Sequence, residues 1–209
     1  MTTTMTSTMN AAPVFYKTDE HDHAEGSSTL LGFWLYLMSD CLIFAALFVT
    51  YAVLSPNTAG GPAPLQVFDL GLVQVNTAVM LLCSFTCGLA MIAAGKGQVR
   101  ALQVTLAAIG LLGLVFLFNQ VSEYGHLVNL GATPQTSAFL SAYFTLIGTH
   151  AIHVVIGLIW LGTMVVQLSR HGLVEANRRR LTCLTMFWNF LDITWVCMFT
   201  FVYLMGMLR

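Results

Sequence analysis

The stretch ALQVTLAAIGLLGLVFLFNQVS, residues 101–122, contains no charged residue. Wound as a helix it extends about 33 Å, enough to cross the ~30 Å hydrocarbon core of a bilayer. Lipid offers no partner to backbone N–H and C=O groups, so an apolar run of this length must satisfy them internally, as a helix does. Four further runs have the same character, and the spans expected are 29–54, 71–95, 101–123, 138–168 and 182–206. The expected fold is all-α, a bundle of five transmembrane helices occupying residues 29–206. Pro13, Pro56, Pro62, Pro64 and Pro134 all fall outside the spans, as helix breakers should. SPNTAGGPAP (55–64) and GATPQTS (131–137) read as turn-rich connectors.

Charge supplies the orientation. Lys17, Lys96, Arg100, Arg170, Arg178, Arg179 and Arg180 fall on one side of this topology, and only Arg209 falls on the other. The excess of Lys and Arg on the cytoplasmic side of membrane proteins predicts a cytoplasmic N-terminus and a periplasmic C-terminus. Residues 1–28, rich in Thr and Ser and then acidic through TDEHDHAE, read as a mobile cytoplasmic tail, with no cleavable signal peptide expected. His21 and His23 read as part of that solvated tail rather than as a metal site. Arg170, Arg178, Arg179 and Arg180 are candidates for contact with lipid head groups, or serve as a topology signal alone. A formal net charge of −1 argues against nucleic acid as a partner.

With 57% hydrophobic and only 8% charged residues, each ionisable group inside a span becomes conspicuous. The candidates are Asp40, Glu123, His150, His153 and Asp192. His150 and His153 share a helix face, but the outer half of the chain offers only Glu123 and His126 as further ligands. A bis-histidine haem would need histidines facing each other from separate helices. The expectation is therefore no metal, no haem and no catalytic residue in this chain. Glu123 is expected to meet the His150/His153 pair across the third and fourth spans, on the basis of similar depth. A complete proton channel does not follow, since no acid lies in the inner third below Asp40 and Asp192.

The five cysteines form no C-x-x-C pair. Cys83 and Cys87 share a helix face and read as packing residues. Gly110, Gly113, Ser84, Gly88, Ser141, Gly148 and Gly157 are expected to permit close helix approach. Trp34, Tyr36, Tyr51, Trp188 and Tyr203 are expected near the membrane interfaces.

FWLYLMSDCLIFAALFVTYAVL (33–54), VNTAVMLLCS (75–84), EYGH (123–126), SAFLSAYFTLIGTHAIHVVIGLIW (137–160) and FWNFLDITWVCMFTFVYLMG (187–206) carry a family signature in order and spacing. From Gly32 onward the chain resembles subunit III of haem–copper respiratory oxidases. Five spans, the SPNTAGGP loop and the short NRRRLTCL linker look like the cytochrome bo-type ubiquinol oxidase branch. The resemblance implies a non-redox accessory subunit of a proton-pumping ubiquinol oxidase in a bacterial inner membrane. Haems and copper would then sit in subunit I, the main partner beside the other subunits of the complex. It further implies bound phospholipid and support of proton uptake. Asp40 matches the carbodiimide-reactive acid of the family, which is usually Glu, and His150, His153, Glu123 and Asp192 match family-typical positions. Asn189 departs from the family's W-H-F-x-D pattern, which has histidine there. Two other readings stay open at this stage: a small proton- or cation-coupled transporter, and a membrane cytochrome with two haems.

Overall fold

The computed structural model describes residues 20–57, 70–204 and 206. Its regular secondary structure among those residues is helical, with α1 at Glu20–Leu54, α2 at Leu70–Gly95, α3 at Val99–Asn129, α4 at Ala138–His171 and α5 at Glu175–Met198. The last helix continues as a π-helical segment, Phe199–Leu204. Among the described residues, five stretches are long and apolar enough to cross a membrane: Ser28–Leu54, Gly71–Gly95, Val99–Asn129, Ala138–Arg170 and Glu175–Leu204. The chain is thus a multi-pass membrane protein with the expected span count.

Three boundaries differ from the sequence expectation. The first helix reaches back to Glu20, inside the segment read as tail, while residues 1–19 lie outside the described residues, as do the side chains of His21 and His23. The third passes Glu123 and runs on to Asn129. The fifth begins at Glu175, so Arg178, Arg179 and Arg180 ride on its first turns rather than in a linker. The reason is common to all three. Loss of apolarity marks where a helix leaves lipid, whereas the backbone ladder continues until a residue or cap breaks it.

The breaks themselves are local. After α3, the Leu130 and Ala132 amides return to the carbonyls of His126 and Leu127, with Gly131 at φ 75° supplying the left-handed turn. Ser137 then caps α4, its hydroxyl accepting from the Leu140 amide at 3.2 Å. The Phe139 amide donates to the Asn57 carbonyl, joining the start of α4 to the end of α1.

α5 sits at the middle, packed on α1, α2 and α4, while α3 packs on α2 and α4. The polarity of a water-soluble protein is inverted. Phe118 is 74% exposed and Leu42 72%, while Asn76 and His150 are fully enclosed. Three of the expected small residues do bring helices together. A Cβ at Gly113 would lie 2.9 Å from the Trp188 ring, one at Gly157 3.0 Å from Phe187, and one at Gly110 3.2 Å from Leu161. Gly88 faces open space, and Gly148 only the Tyr124 hydroxyl at 3.9 Å. Of the five aromatics expected at the interfaces, Trp34 and Tyr36 are outward, whereas Tyr51, Trp188 and Tyr203 are buried in helix contacts. Their rings fill the seams between helices, a role that position along the sequence does not distinguish. Cys83, Cys87 and Cys183 are buried free thiols.

Candidate functional site

Two polar clusters lie inside the bundle at different depths. The deeper one joins α1, α4 and α5. Asp40, counted from Leu54, and His153, counted from Ala138, each lie about 21–23 Å from the outer helix ends. His153 Nε2 is 3.6 Å from Asp40 Oδ2, and His153 Nδ1 is 2.8 Å from the Thr149 carbonyl. A carbonyl only accepts, so Nδ1 carries the ring proton. Nε2 and the Asp40 carboxyl therefore attract each other when one further proton resides between them.

His150, one turn away, is fully buried, with Nε2 donating to the Leu191 carbonyl at 3.2 Å. Its ring is walled by Phe116 and Trp195, with centroids at 5.7 and 5.5 Å, and Phe44 lies between both histidines and Phe190. Trp195 in turn donates to the Thr77 hydroxyl at 3.1 Å, tying α5 to α2. Among the described residues, no three of His, Cys, Asp and Glu gather as a metal-binding group.

The outer cluster is centred on Glu123. Its Oε1 accepts from the Tyr143 hydroxyl at 3.2 Å and from Tyr203 at 3.5 Å, and its Oε2 accepts from Gln120 Nε2 at 3.1 Å. The two tyrosine hydroxyls are 3.1 Å apart. This knot binds α3, α4 and the π-helical segment together. The Glu123 pairing with His150 or His153 expected from the sequence is therefore corrected: the histidines are engaged by Leu191, Thr149 and Asp40. Depth explains the error. Glu123 lies about 9 Å below Asn129, level with Tyr143 at about 7.5 Å below Ala138, whereas His150 lies about 18 Å down. His126 is outward-facing on α3.

The last of the five sequence candidates, Asp192, is buried on α5 beside Ser84 of α2, its Oδ1 without a hydrogen-bond partner among the described residues. Ser84 donates to the Asn189 side-chain oxygen at 3.1 Å. Sequence reading passed over Gln120, Tyr143, Tyr203, Asn76 and Asn119, the last pair joined at 2.9 Å across α2 and α3. All are neutral at ordinary pH, so a search for charge did not register them. An amide inside an apolar run is the signal that would have found Asn76 and Asn119.

At the end carrying the basic residues, a groove of about 610 Å³ opens between α1, α4 and α5. Phe33, Tyr36 and Trp160 form its apolar wall, and Arg179 and Arg180 its basic rim. Arg180 Nη1 donates to Gln167 at 2.8 Å. Arg170 and Arg178 are exposed and do not line the groove.

Residues 14–207 match the family described as cytochrome c oxidase subunit III. The chain is 48% identical over 191 residues to the cytochrome bo(3) ubiquinol oxidase subunit 3 of Pseudomonas aeruginosa, covering 90% of this chain and 91% of that one. With the corresponding subunit of Pseudomonas putida it shares 47% identity over 89% of this chain and 90% of the relative. The quinol oxidase subunit 3 of Bacillus subtilis is 37% identical, over 90% and 92%.

Proposed function

The chain belongs to the cytochrome c oxidase subunit III family, and from that membership we propose that it is the non-redox third subunit of a proton-pumping ubiquinol oxidase. The observation that carries this reading is near-full-length identity of 47–48% to two subunits named for ubiquinol oxidases. The interior geometry supports it. His150 Nε2 is held by the Leu191 carbonyl and His153 by Thr149 and Asp40, so three of the four ring nitrogens already face protein groups, while His150 Nδ1 has no hydrogen-bond partner among the described residues.

In this proposal the haems and copper reside in subunit I, which this chain braces together with the other subunits. The polar knots at Asp40/His153 and at Glu123 hold the bundle's register against that partner. Asp40 serves as a local proton acceptor beside His153, assisting uptake without forming a complete channel. The basic-rimmed groove holds a phospholipid, with Arg179 on the head group and the aromatic wall along the acyl chains. The distribution of Lys and Arg supports a cytoplasmic N-terminus in a bacterial plasma membrane, with the groove on the cytoplasmic side.

The test is purification of the tagged chain from its native membrane in mild detergent. Haem-bearing polypeptides and quinol oxidation are expected to accompany it. Isolation of the chain alone, with haem absorption or ion transport of its own in liposomes, would replace this reading with a cytochrome or a transporter.

A further inference from the structure

Exposed hydroxyls on these helices, Ser39, Thr145, Thr163 and Thr200 among them, return their protons to a carbonyl of their own helix. They face lipid without an unmet hydrogen bond. Near mid-depth, one exposed polar group among the described residues is not closed in this way. Asn189 is exposed at the midpoint of the Glu175–Leu204 span, about 21 Å from either end. Its oxygen accepts from Ser84, and among the described residues its Nδ2 has no acceptor. One turn further on, Asp192 is nine-tenths buried with Oδ1 unpartnered.

Acyl chains satisfy neither group, and leaving each unmet in hydrocarbon costs several kcal/mol. Asn189, Ile193, Val196 and Thr200 form an exposed stripe along one face of the last helix, with Phe201 and Leu204 also exposed at its outer end. The polar pair therefore sits on a continuous helical seam rather than being a scattered surface feature.

We propose that this seam, centred on Ser84, Asn189 and Asp192, docks a transmembrane helix of another subunit. The docking helix carries at mid-depth a side chain that accepts from Asn189 Nδ2, an amide or a hydroxyl. A second copy of this chain fits less well. Two-fold pairing through Asn189 would spend the two Asn189 amides on each other and bring two Asp192 carboxyls close together with no further side-chain donor between them. The proposal rests on the oxidase-subunit reading and assigns the face by which the chain joins the complex.

The experiment uses the intact complex in its native membrane, with a photo-crosslinking amino acid at Ile193 or Phe85 on the seam. The same probe at Leu111 on α3 and Ile159 on α4, both outward-facing, serves as comparison. A crosslink from Ile193 and Phe85 to another oxidase polypeptide, with lipid adducts alone from Leu111 and Ile159, is the expected result. Asn189→Leu in the Ile193 probe background should lower the protein crosslink about three- to tenfold, while Asn189→Gln retains most of it. Copurification of the oxidase with only lipid adducts at Ile193 and Phe85, or a crosslink there to a second copy, overturns the seam and leaves the subunit reading standing. Absence of every oxidase polypeptide from the wild-type preparation overturns both.

Discussion

His153 and Asp40 face each other across α1 and α4 at 3.6 Å, with the far side of the imidazole fixed to the Thr149 carbonyl. Because Nδ1 must donate to that carbonyl, the ring cannot flip to suit its partner. Among the described residues Asp40 Oδ2 has no hydrogen-bond partner. The pair is thus both a clamp between two helices and a place where a proton can reside. Asp40→Asn keeps a polar group opposite Nε2 but removes the carboxyl. The expected outcome is loss of labelling by a hydrophobic carbodiimide, with haem content and initial oxygen consumption of the complex nearly intact. Immediate loss of turnover in a fully assembled Asp40→Asn complex would show that the pair does more than assist.

Glu123 presents a different balance. It is the common acceptor for Tyr143, Tyr203 and Gln120, so Glu123→Leu would strand buried donors from three places in the chain. A stranded buried donor costs about 1–3 kcal/mol, and the two tyrosine hydroxyls stay 3.1 Å from each other. Glu123→Gln keeps one acceptor oxygen and should lose less than half as much stability. Thermal unfolding of the purified complex, followed by release of this subunit, measures the difference. Equal midpoints for the Leu and Gln variants would mean that the knot does not hold α3 to α4.

Gly113 and Gly88 make a matched pair of tests. A Cβ at Gly113 meets the Trp188 ring at 2.9 Å and Leu158 at 3.0 Å, both deep in the helix seam, whereas one at Gly88 meets nothing within 4 Å. Gly113→Ala should destabilise by about 1–3 kcal/mol as the seam opens. Gly88→Ala should stay within about 0.5 kcal/mol of the parent, as surface changes do. The yield of intact complex at raised temperature separates the two.

The contrast also shows what a sequence of this kind exposes. Span number and helix type follow from apolar length, because lipid forbids most alternatives. The ends of α3 and α5 do not, since polarity at 123 and at 177–180 ends immersion rather than helicity. Asp40, Glu123, His150, His153 and Asp192 were all legible as buried, yet their pairing was not. Pairing depends on relative depth and on the helix face each group presents: Glu123 lies level with Tyr143 and about 9 Å nearer the outer end than His150. Asn76, Gln120, Tyr143 and the polar role of Tyr203 were missed because uncharged polar groups raise no alarm in composition, although all four are enclosed almost completely and Asn76 joins α2 to α3.

The groove between α1, α4 and α5 gives the last test. Phe33, Tyr36 and Trp160 offer an apolar wall, and the positive charge lies at one end only. That polarity suits a phospholipid standing parallel to the helices with its head group at the basic rim. The two arginines are not equivalent. Arg180 is already hydrogen-bonded to Gln167 at 2.8 Å, whereas Arg179 lines the groove half-buried with no side-chain partner among the described residues. One basic residue near an anionic head group contributes about 1 kcal/mol, a factor of about five in occupancy. Arg179→Ala should therefore reduce copurifying anionic phospholipid about fivefold, as read by mass spectrometry of the washed complex, and Arg178→Ala should leave it unchanged. Because the side chain's stem also packs along the groove, Arg179→Met separates charge from packing. If Met retains the lipid as well as Arg does, the aromatic wall holds the lipid and the rim charge serves topology alone.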